Sequence, residues 1–394
     1  LGPSLVLLAV DYNKILTQGT KALIAQCQEE MKKLRFYITG DIEKYRYYKA
    51  VILSLEAMNK LAGRYAALAD EMAEKEQNPE RRKELETISS NCRRVPMEPP
   101  TTFWEAMQCF WFQFLMLSPS TTLPGCRFDQ YMYPFYEKDI KNGNISSEFA
   151  TELLCCLRLK DMELNRTSGK NNRKKNAGMA KWHNFTIGGQ KADGSDATND
   201  LTYLMLDAAK ITKTPHHTLT VRVHKGTPMK LIVKALEVVR MGLGMPAFVS
   251  DESYMKCFTS RGVSVEDARE YVMTGCLDAN IPGKSRTGPV PMMTIPLIFD
   301  IFRHSGINVA TREKCAPDMG DFTQYQTFED LYNAFEKELR YCMEVAGEKN
   351  NVELKITQEL LVDPLRSALM YEGIESGKDT FCRTMPFENG AVFN

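Results

Sequence analysis

Between residues 184 and 249, short strand-like segments alternate with helical ones. The segment at 184–189 ends in Gly-Gly, and the segment at 218–223 alternates polar and apolar residues. The predicted order is strand 184–189, helix 201–211, strand 218–223, helix 229–241 and strand 247–249. Strands joined through helices pair in parallel as a rule, because a parallel neighbour needs a long crossover. The alternation therefore predicts an α/β fold with a parallel sheet.

The first hundred residues are predicted to be mainly helical. Apolar residues recur at helical spacing from 11 to 75, with one interruption at Gly40-Asp41. The proline-rich segment 95–100 is predicted to be a stiff connector to a further helix. The aromatic residues between 103 and 114 are interpreted as core, because aromatic stripes at helical spacing are usually packing residues.

The stretch from Met273 to Gly288 places one cysteine between a glycine and an acid. It reads Met-Thr-Gly-Cys-Leu-Asp-Ala-Asn-Ile-Pro-Gly-Lys-Ser-Arg-Thr-Gly, and its glycines and proline predict a loop rather than regular structure. A buried cysteine is commonly just a small hydrophobe, but Cys276 is followed by Asp278, Lys284 and Arg286, which a core does not need. These residue types favour a reactive thiol over a packing cysteine.

A second polar pair stands in the turn-rich segment 118–130. Arg127 and Asp129 supply one cation and one anion, which a loop at the mouth of an apolar barrel could offer to a substrate. The alternative is that an Arg127–Asp129 bond, or a bond from Asp129 to the backbone, only holds the loop. The sequence favours this structural role and leaves substrate binding open.

Charge and cysteine usage exclude several classes of protein. The 50 basic and 50 acidic residues give a formal net charge of +0, so charge predicts neither a nucleic-acid nor a membrane partner. The 11 cysteines form no Cys-x-x-Cys pair of the kind that binds zinc or an iron–sulfur cluster, and they fit a reducing cytoplasm. No apolar run is long enough to cross a bilayer, and no signal peptide is recognised.

Three histidines flank the strand predicted at 218–223. His216, His217 and His224 could approach a metal by spacing, but no acid stands at ligand spacing beside them. They are therefore predicted to be structural or solvent-facing, and no metal is expected.

Four stretches of the sequence, taken together, resemble the glycyl radical enzymes of the pyruvate formate-lyase superfamily. Gly275-Cys-Leu-Asp278 is similar to the family's cysteine loop, whose common form is Gly-Cys-x-Glu. The other stretches are Arg127-Phe-Asp-Gln-Tyr-Met-Tyr-Pro134, Asn184-Phe-Thr-Ile-Gly-Gly189 and Pro215-His-His-Thr-Leu-Thr-Val-Arg222. The resemblance implies a barrel of two parallel half-barrels surrounded by helices, in which the cysteine carries a transient thiyl radical.

The resemblance also implies parts that this sequence does not contain. The family's radical glycine lies in an Arg-Val-x-Gly-Tyr-like motif, which is absent from the printed sequence. Residues 1–394 are therefore expected to be the central part of such a barrel domain, incomplete and inactive alone, with helices to 100 and barrel elements from 101. The cofactor implied is a protein-borne glycyl radical, generated by a radical S-adenosylmethionine activating enzyme.

The reaction is assigned by finer likeness within the family. The arginine motif, with Lys284 and Arg286, is similar to the alkyl- and benzylsuccinate synthase branch, which implies addition of a hydrocarbon to fumarate. Arg286, Lys284, Arg127 and Asp129 would then bind substrate, since a dicarboxylate needs fixed cations. The alternative is a dehydratase or decarboxylase in which Asp278, one methylene shorter than the family's glutamate, transfers protons. A non-catalytic fragment or scaffold subunit is a second alternative, and a homo-oligomer or small accessory subunits are compatible with each.

One expectation concerns position. A thiyl radical must be kept from water and other side chains, so Cys276 is predicted at a loop tip inside the barrel, with the strands 184–189 and 218–223 among its walls. Lys284 or Arg286 reaching the same cavity would favour a carboxylate substrate. Asp278 facing it, with both cations in solvent, would favour acid–base chemistry.

Overall fold

The computed structural model describes residues 8–117, 123–164, 183–275, 277–287 and 293–389. The helices in these ranges are α1 Asn13–Lys32, α2 Asp41–Lys75, α3 Pro79–Arg94, α4 Phe103–Leu117, α5 Phe128–Tyr131, α6 Tyr133–Lys141, α7 Ser147–Glu163, α8 Asp200–Thr212, α9 Met229–Arg240, α10 Asp251–Thr259, α11 Val265–Arg269, α12 Ile295–Arg303, α13 Phe328–Leu360 and α14 Pro364–Ala368. The strands are β1 Asn184–Gly188, β2 Thr218–Val223, β3 Ala247–Ser250, β4 Val272–Thr274, β5 Asp278–Asn280, β6 Ser285–Thr287 and β7 Phe387–Asn389. Short 3₁₀ turns cover Phe322–Gln324 and Thr380–Cys382.

The predicted N-terminal helices are confirmed. Helices α1 and α2 cover most of the predicted range, and Gly40 separates them with a φ of +94°. Helix α1 also bends at Gly19, where an added Cβ would lie 2.4 Å from the Met97 carbonyl oxygen. This close approach lets the Thr20 amide donate to the Pro96 carbonyl at 2.8 Å, so the proline-rich connector packs directly on α1.

Strands β1, β2 and β3 form a parallel sheet in that order. Asn184 lies opposite Thr218, and Thr220 lies opposite Ala247. All five residues of β1 are buried, which is typical of a parallel strand covered on both faces. Helices α8 and α9 make the two crossovers, so the predicted α/β organisation and its strands are confirmed.

The expectation that the cysteine stretch lacks regular structure is wrong in part. Strands β4 and β5 form an antiparallel hairpin in which Met273 pairs with Ala279 and Thr274 with Asp278. Strand β6 then pairs in parallel with β7. Strands of three residues are too short for a periodic signal, and the glycines that predicted a loop instead make the turns, since Gly275 and Gly283 have φ values of +55° and +71°.

The chain divides into two compact units. One consists of Leu1–Thr287 with Asp363–Asn389, and it contains the parallel sheet and the hairpin. The other consists of Gly288–Val362 with Gly390–Asn394, and its described part is built from α12 and α13. Rings of Phe299, Phe302 and Phe335 pack against one another within this second unit. The assignment of residues 1–394 to one barrel domain stays a prediction.

Among the helices within the described ranges, none combines the length and the apolar character that crossing a bilayer requires.

Candidate active site

The β4–β5 hairpin has one apolar and one polar side. Met273 and Ala279 pair across the hairpin and pack, with Ile281, against a mainly aromatic cluster. The cluster comprises Val249, Phe258, Ala268, Tyr271 and Phe387, with Tyr254, Met255 and Val263 at its edge. Burial of these side chains fixes the base of the hairpin against α10 and α11.

A chain of buried hydrogen bonds follows the other side of the hairpin. Asn280 Nδ2 donates to Thr274 Oγ1 at 2.7 Å, and Ser285 Oγ donates to Asn280 Oδ1 at 2.9 Å. The Ile281 amide donates to Ser285 Oγ at 2.6 Å, which ties the following turn to the strands. Thr274, Asn280 and Ser285 are fully buried, so these bonds are strongly favoured over any arrangement that leaves the groups unpaired.

The hairpin turns between the paired residues Thr274 and Asp278. Tyr254, on α10, donates its hydroxyl to the Leu277 carbonyl at 3.4 Å. Cys276 lies outside the described residues, so its position inside a barrel stays a prediction. Of the two strands expected to line it, β1 contacts the hairpin, because the Met273 amide donates to Thr186 Oγ1 at 2.9 Å.

Asp278 is the acid nearest to Cys276 in the sequence, and it is half-buried. Burial raises the pKa of its carboxyl group, and the hydrogen bond from its own amide opposes this only in part. The neighbouring Tyr254 has a raised pKa as well, through burial and through the Asp278 charge. A raised pKa makes the protonated form of a carboxyl group more accessible, which favours a role in proton transfer.

Asp129 is fully buried and bonded to the end of β1. Its Oδ2 accepts from the Gly188 amide at 2.9 Å and from Thr202 Oγ1 at 2.7 Å. Burial raises the pKa of this carboxyl group, and the two hydrogen bonds oppose the rise. Of the structural roles foreseen for the pair, the bond from Asp129 to the backbone is therefore present.

Arg127 is buried beside the entry to the hairpin. Its Nη1 donates to Glu270 Oε1 at 2.9 Å and to the Arg269 carbonyl at 3.3 Å, and its Nη2 donates to the Gly188 carbonyl at 3.2 Å. Burial lowers the pKa of the guanidinium, and the charge of Arg222 lowers it further. A role for Arg127 or Asp129 in substrate binding stays a prediction, and their contacts here are with the protein itself.

The two cations after Cys276 are engaged within the protein. Lys284 Nζ lies 2.6 Å from Asp267 Oδ1 in a half-exposed ion pair. Arg286 is buried, donates from Nη1 to the Thr380 and Arg383 carbonyls, and stacks its guanidinium 5.5 Å from the Phe381 ring centroid. The part proposed for them in substrate binding stays a prediction.

Sequence reasoning missed Arg222 and Asp251. Arg222 Nε and Nη2 lie 2.7 and 3.1 Å from the two carboxylate oxygens of Asp251, and both side chains are completely buried. The guanidinium carbon also lies 3.9 Å from the centroid of the Tyr271 ring. An arginine inside a strand of a parallel sheet is a signal of such a pair, because a buried charge needs a partner.

Three histidines near the ends of β1 and β2 contact other side chains of the protein. His183 Nδ1 lies 2.6 Å from Asp161 Oδ1, His224 Nε2 lies 3.0 Å from Asp196 Oδ1, and the buried His217 ring stacks on Phe185 at 3.7 Å. Within the part of the chain that the structure describes, no group of three or more His, Cys, Asp or Glu side chains could hold a metal ion.

Sequence similarity shows the family to which the chain belongs. The sequence model of the pyruvate formate lyase-like family matches residues 7–394. The chain belongs to this family of glycyl radical enzymes. Solved structures of similar fold confirm the glycyl radical enzyme barrel as its fold class, with parallel strands and surrounding helices.

Relatives with assigned activities resemble this glycyl radical enzyme chain along nearly its whole length. It is 32% identical over 392 residues to a (2S)-3-sulfopropanediol dehydratase of Klebsiella oxytoca, covering 98% of this chain and 47% of the relative. It is 31% identical over 371 residues to an isethionate sulfite-lyase of Oleidesulfovibrio alaskensis, covering 91% of this chain and 44% of the relative. The glycerol-bound B12-independent glycerol dehydratase of Clostridium butyricum superposes with a TM-score of 0.89 at 30% identity, covering 98% of this chain and 49% of that one.

These similarities correct the finer placement within the glycyl radical enzymes. The three similar proteins just described are two dehydratases and a sulfite-lyase, so the expected kinship with the alkyl- and benzylsuccinate synthases is wrong. The chain spans about half the length of the curated relatives it matches.

Proposed function

We propose that the polypeptide to which this chain belongs is a glycyl radical dehydratase or related lyase that breaks a carbon–heteroatom bond in a small hydroxylated substrate. Cys276 exchanges a hydrogen atom with the substrate, and Asp278 transfers protons. The observation that carries the proposal is the hairpin, which sets Asp278 opposite Thr274 at the first pair below the turn, with its carboxyl pKa raised by burial. The activities named for the similar proteins support the same choice.

The proton balance of dehydration explains why one such carboxyl group suffices. Removal of a hydrogen atom from a hydroxyl-bearing carbon leaves a carbon radical beside the bond that must break. The neighbouring hydroxyl leaves as water, taking the C–O electron pair and one proton from Asp278. The remaining hydroxyl becomes a carbonyl and returns one proton to Asp278, and return of the hydrogen atom from the Cys276 thiol completes the net loss of one water. A raised carboxyl pKa suits both transfers.

The glycyl radical of this family supplies the hydrogen-atom acceptor that prepares the Cys276 thiol. The hairpin fits such a group in its chemistry, because a thiol can lose and regain a hydrogen atom, and Leu277, next to it in the sequence, is 47% exposed. Gly275 permits the turn, with a φ of +55°. We propose a radical S-adenosylmethionine enzyme as the activating partner.

Addition of a hydrocarbon to fumarate is a less favoured proposal for this site. A dicarboxylate would need cations, and two of the three proposed for it are bound elsewhere: Lys284 to Asp267, and Arg286 to the carbonyls of residues 380 and 383. Releasing either cation would leave a charge or carbonyl groups without their present partners.

The proposal is tested on the whole polypeptide after anaerobic activation by a radical S-adenosylmethionine activating enzyme. Substrates to compare are glycerol and propane-1,2-diol, the hydroxysulfonates isethionate and 3-sulfopropanediol, trans-4-hydroxyproline, and toluene with fumarate. Water or sulfite loss from one of the hydroxylated substrates is expected. Turnover of toluene with fumarate would contradict the dehydratase proposal, and a radical without any turnover would favour a non-catalytic subunit.

Two substitutions at the hairpin separate the proposed roles. Cys276→Ser should abolish turnover while the glycyl radical, measured by electron paramagnetic resonance, still forms. Asp278→Asn should lower turnover by about 10²- to 10⁴-fold, which is the usual contribution of a positioned proton-transfer group. Asp267→Asn is the matched control, because it removes another carboxylate near the same loop, and it should stay close to wild type. Wild-type turnover in either hairpin variant would remove the role assigned to that residue.

A further inference from the structure

The carbonyl oxygen of Arg269 accepts hydrogen bonds from two buried arginines. Arg222 Nη1 donates to it at 2.7 Å, and Arg127 Nη1 donates to it at 3.3 Å. Arg269 ends α11, and β4 begins three residues later, so the position of this carbonyl helps to determine where the hairpin starts. Both arginines come from sequence motifs well separated from the cysteine stretch.

All three guanidinium nitrogens of Arg222 donate hydrogen bonds within the protein. Two of its nitrogens bind Asp251, and its Nη1 also donates to the Tyr271 carbonyl at 3.0 Å. The Tyr271 ring lies against the guanidinium, and its hydroxyl donates to Asp251 Oδ1 at 2.8 Å. Because the side chains of Asp251 and Arg222 are both completely buried, the guanidinium has one well-defined position from which it holds the carbonyls of residues 269 and 271.

Arg127 links the same carbonyl to the end of β1. Its second terminal nitrogen donates to the Gly188 carbonyl, while the Gly188 amide donates to Asp129. The arginine motif therefore holds the last residue of β1 through both its amide and its carbonyl group. Glu270 pairs with Arg127 at 2.9 Å and balances its charge.

Gly189 makes room for this arrangement. A Cβ on Gly189 would lie 2.5 Å from Arg222 Nε and 2.7 Å from Cζ, and the residue has a φ of +80°. Any larger residue there would have to displace the guanidinium or distort the end of β1. The stretches 127–134, 184–189 and 215–222 thus contribute to holding residues 269–271, which lead into the cysteine stretch.

We propose that Arg127 and Arg222 are positioning residues that fix the β4–β5 hairpin relative to the parallel sheet and so set the distance from Asp278 to the substrate. The catalytic consequence rests on the proposed function, whereas the effect on the hairpin does not. Lysine cannot replace either arginine, because a single ammonium group cannot reach the carboxylate and both carbonyls at once.

The structural part is tested by hydrogen exchange of the amides in 272–280, in protein that needs no activation. Arg222→Lys should speed their exchange by about tenfold or more, and Arg127→Lys by a smaller factor. The matched control is Arg158→Lys: Arg158 is equally buried and binds backbone carbonyls, but of residues 214 and 217. Equal exchange in the Arg222→Lys and Arg158→Lys hairpins would overturn the proposal.

The catalytic part is tested in the activated polypeptide. Arg222→Lys should lower turnover roughly 10- to 100-fold, as expected when reacting groups are displaced by about 1 Å, with an unchanged yield of glycyl radical. Arg158→Lys should retain wild-type turnover per folded molecule. A faster-exchanging hairpin with undiminished turnover would overturn the positioning role. If the wild-type polypeptide has no dehydratase or lyase activity, the proposed function fails, while the exchange experiment still decides whether the arginines hold the hairpin.

Gly189→Ala is the second variant, and it keeps both arginines. The added methyl group should displace Arg222 and speed hairpin exchange without removing any charge. Gly242→Ala is its matched control, since Gly242 also has a positive φ, of +77°, but an added Cβ there would meet no atom within 4 Å. Equal hairpin exchange in the two glycine variants would overturn the proposal even if Arg222→Lys fails to fold.

Discussion

A fully buried arginine lies near each end of β2, Arg222 of β2 itself and Arg158 of α7, and different groups compensate the two charges. Near the C-terminal end, Arg222 faces the carboxylate of Asp251 with two hydrogen bonds. Near the N-terminal end, Arg158 donates to the carbonyls of Thr214 and His217 and to the hydroxyl of Thr212. Burial lowers the pKa of Arg158 to about 10, and the charge of nearby Asp161 offsets this only in part.

The difference shows what each end of the sheet is built to hold. Neutral acceptors suffice at the N-terminal end, where Arg158 closes the loop between a helix and a strand. An ion pair stands at the C-terminal end, where the guanidinium must also hold the carbonyls of residues 269 and 271 in place. A buried ion pair adds little net stability, but removing one partner is costly, so this end resists displacement.

The largest expected effect is on the ion pair. Asp251→Asn keeps the shape of the side chain but leaves the Arg222 charge buried without its partner, which should lower the free energy of unfolding by about 3–5 kcal/mol. Denaturant unfolding measures the change. The double variant Arg222→Met/Asp251→Leu should recover part of the loss, because it removes the unpaired charge but leaves the carbonyls of residues 269 and 271 without their donor. A single-variant loss below about 1 kcal/mol would contradict a dry, ion-paired site.

Arg158→Met should cost less. It leaves two carbonyls and one hydroxyl without their donor but strands no formal charge, so the expected loss is about 1–3 kcal/mol in the same unfolding experiment. A loss as large as that of Asp251→Asn would show that Asp161 compensates Arg158 as fully as Asp251 compensates Arg222.

The N-terminal end should also respond to pH. Burial and the charges of Arg158, His183 and His216 lower the pKa of His217 well below its usual value, while Asp161 Oδ2 lies 3.9 Å from its ring. Because the unfolded chain takes up the proton below about pH 6.5 and the folded chain does not, folded stability should fall as pH drops, by about 1.4 kcal/mol at pH 5.5. His217→Gln should flatten the pH dependence of unfolding between pH 7 and 5.5, and an unchanged slope would assign it to other groups.

The smallest expected effect concerns the hydroxyl group of Tyr271, whose ring lies against Arg222. Tyr271→Phe removes the hydroxyl bonded to Asp251 but keeps the ring and both guanidinium bonds to the carboxylate, so the loss should be about 0.5–1.5 kcal/mol. Thermal unfolding measures it, with Tyr37→Phe as control because Tyr37 is 86% exposed. A loss well above this range would mean that the hydroxyl, rather than the ring, keeps the ion pair together.

Local patterns predicted the helices and parallel strands well, and they predicted contacts between distant residues poorly. The strand at 218–223 is predicted by its alternation of polar and apolar residues, and the strand at 184–189 by the Gly-Gly turn at its end. The pairing of Arg222 with Asp251 depends on which crossover brings strand ends together, and nothing within either segment encodes it. The hairpin was missed for a different reason, because its strands of three residues are shorter than any window that detects a period of two.

A small rotation at the base of the β4–β5 hairpin displaces its turn. Arginine holds the carbonyls of residues 269 and 271, β1 holds the amide of Met273, and each of the two three-residue strands is about 10 Å long from base to turn. Over such a length, a tilt of about 6° at the base moves the turn by about 1 Å, which is enough to spoil the approach of reacting atoms. Substitutions around residues 269–273 are therefore expected to change the chemistry proposed for Cys276 and Asp278 without replacing either of those residues.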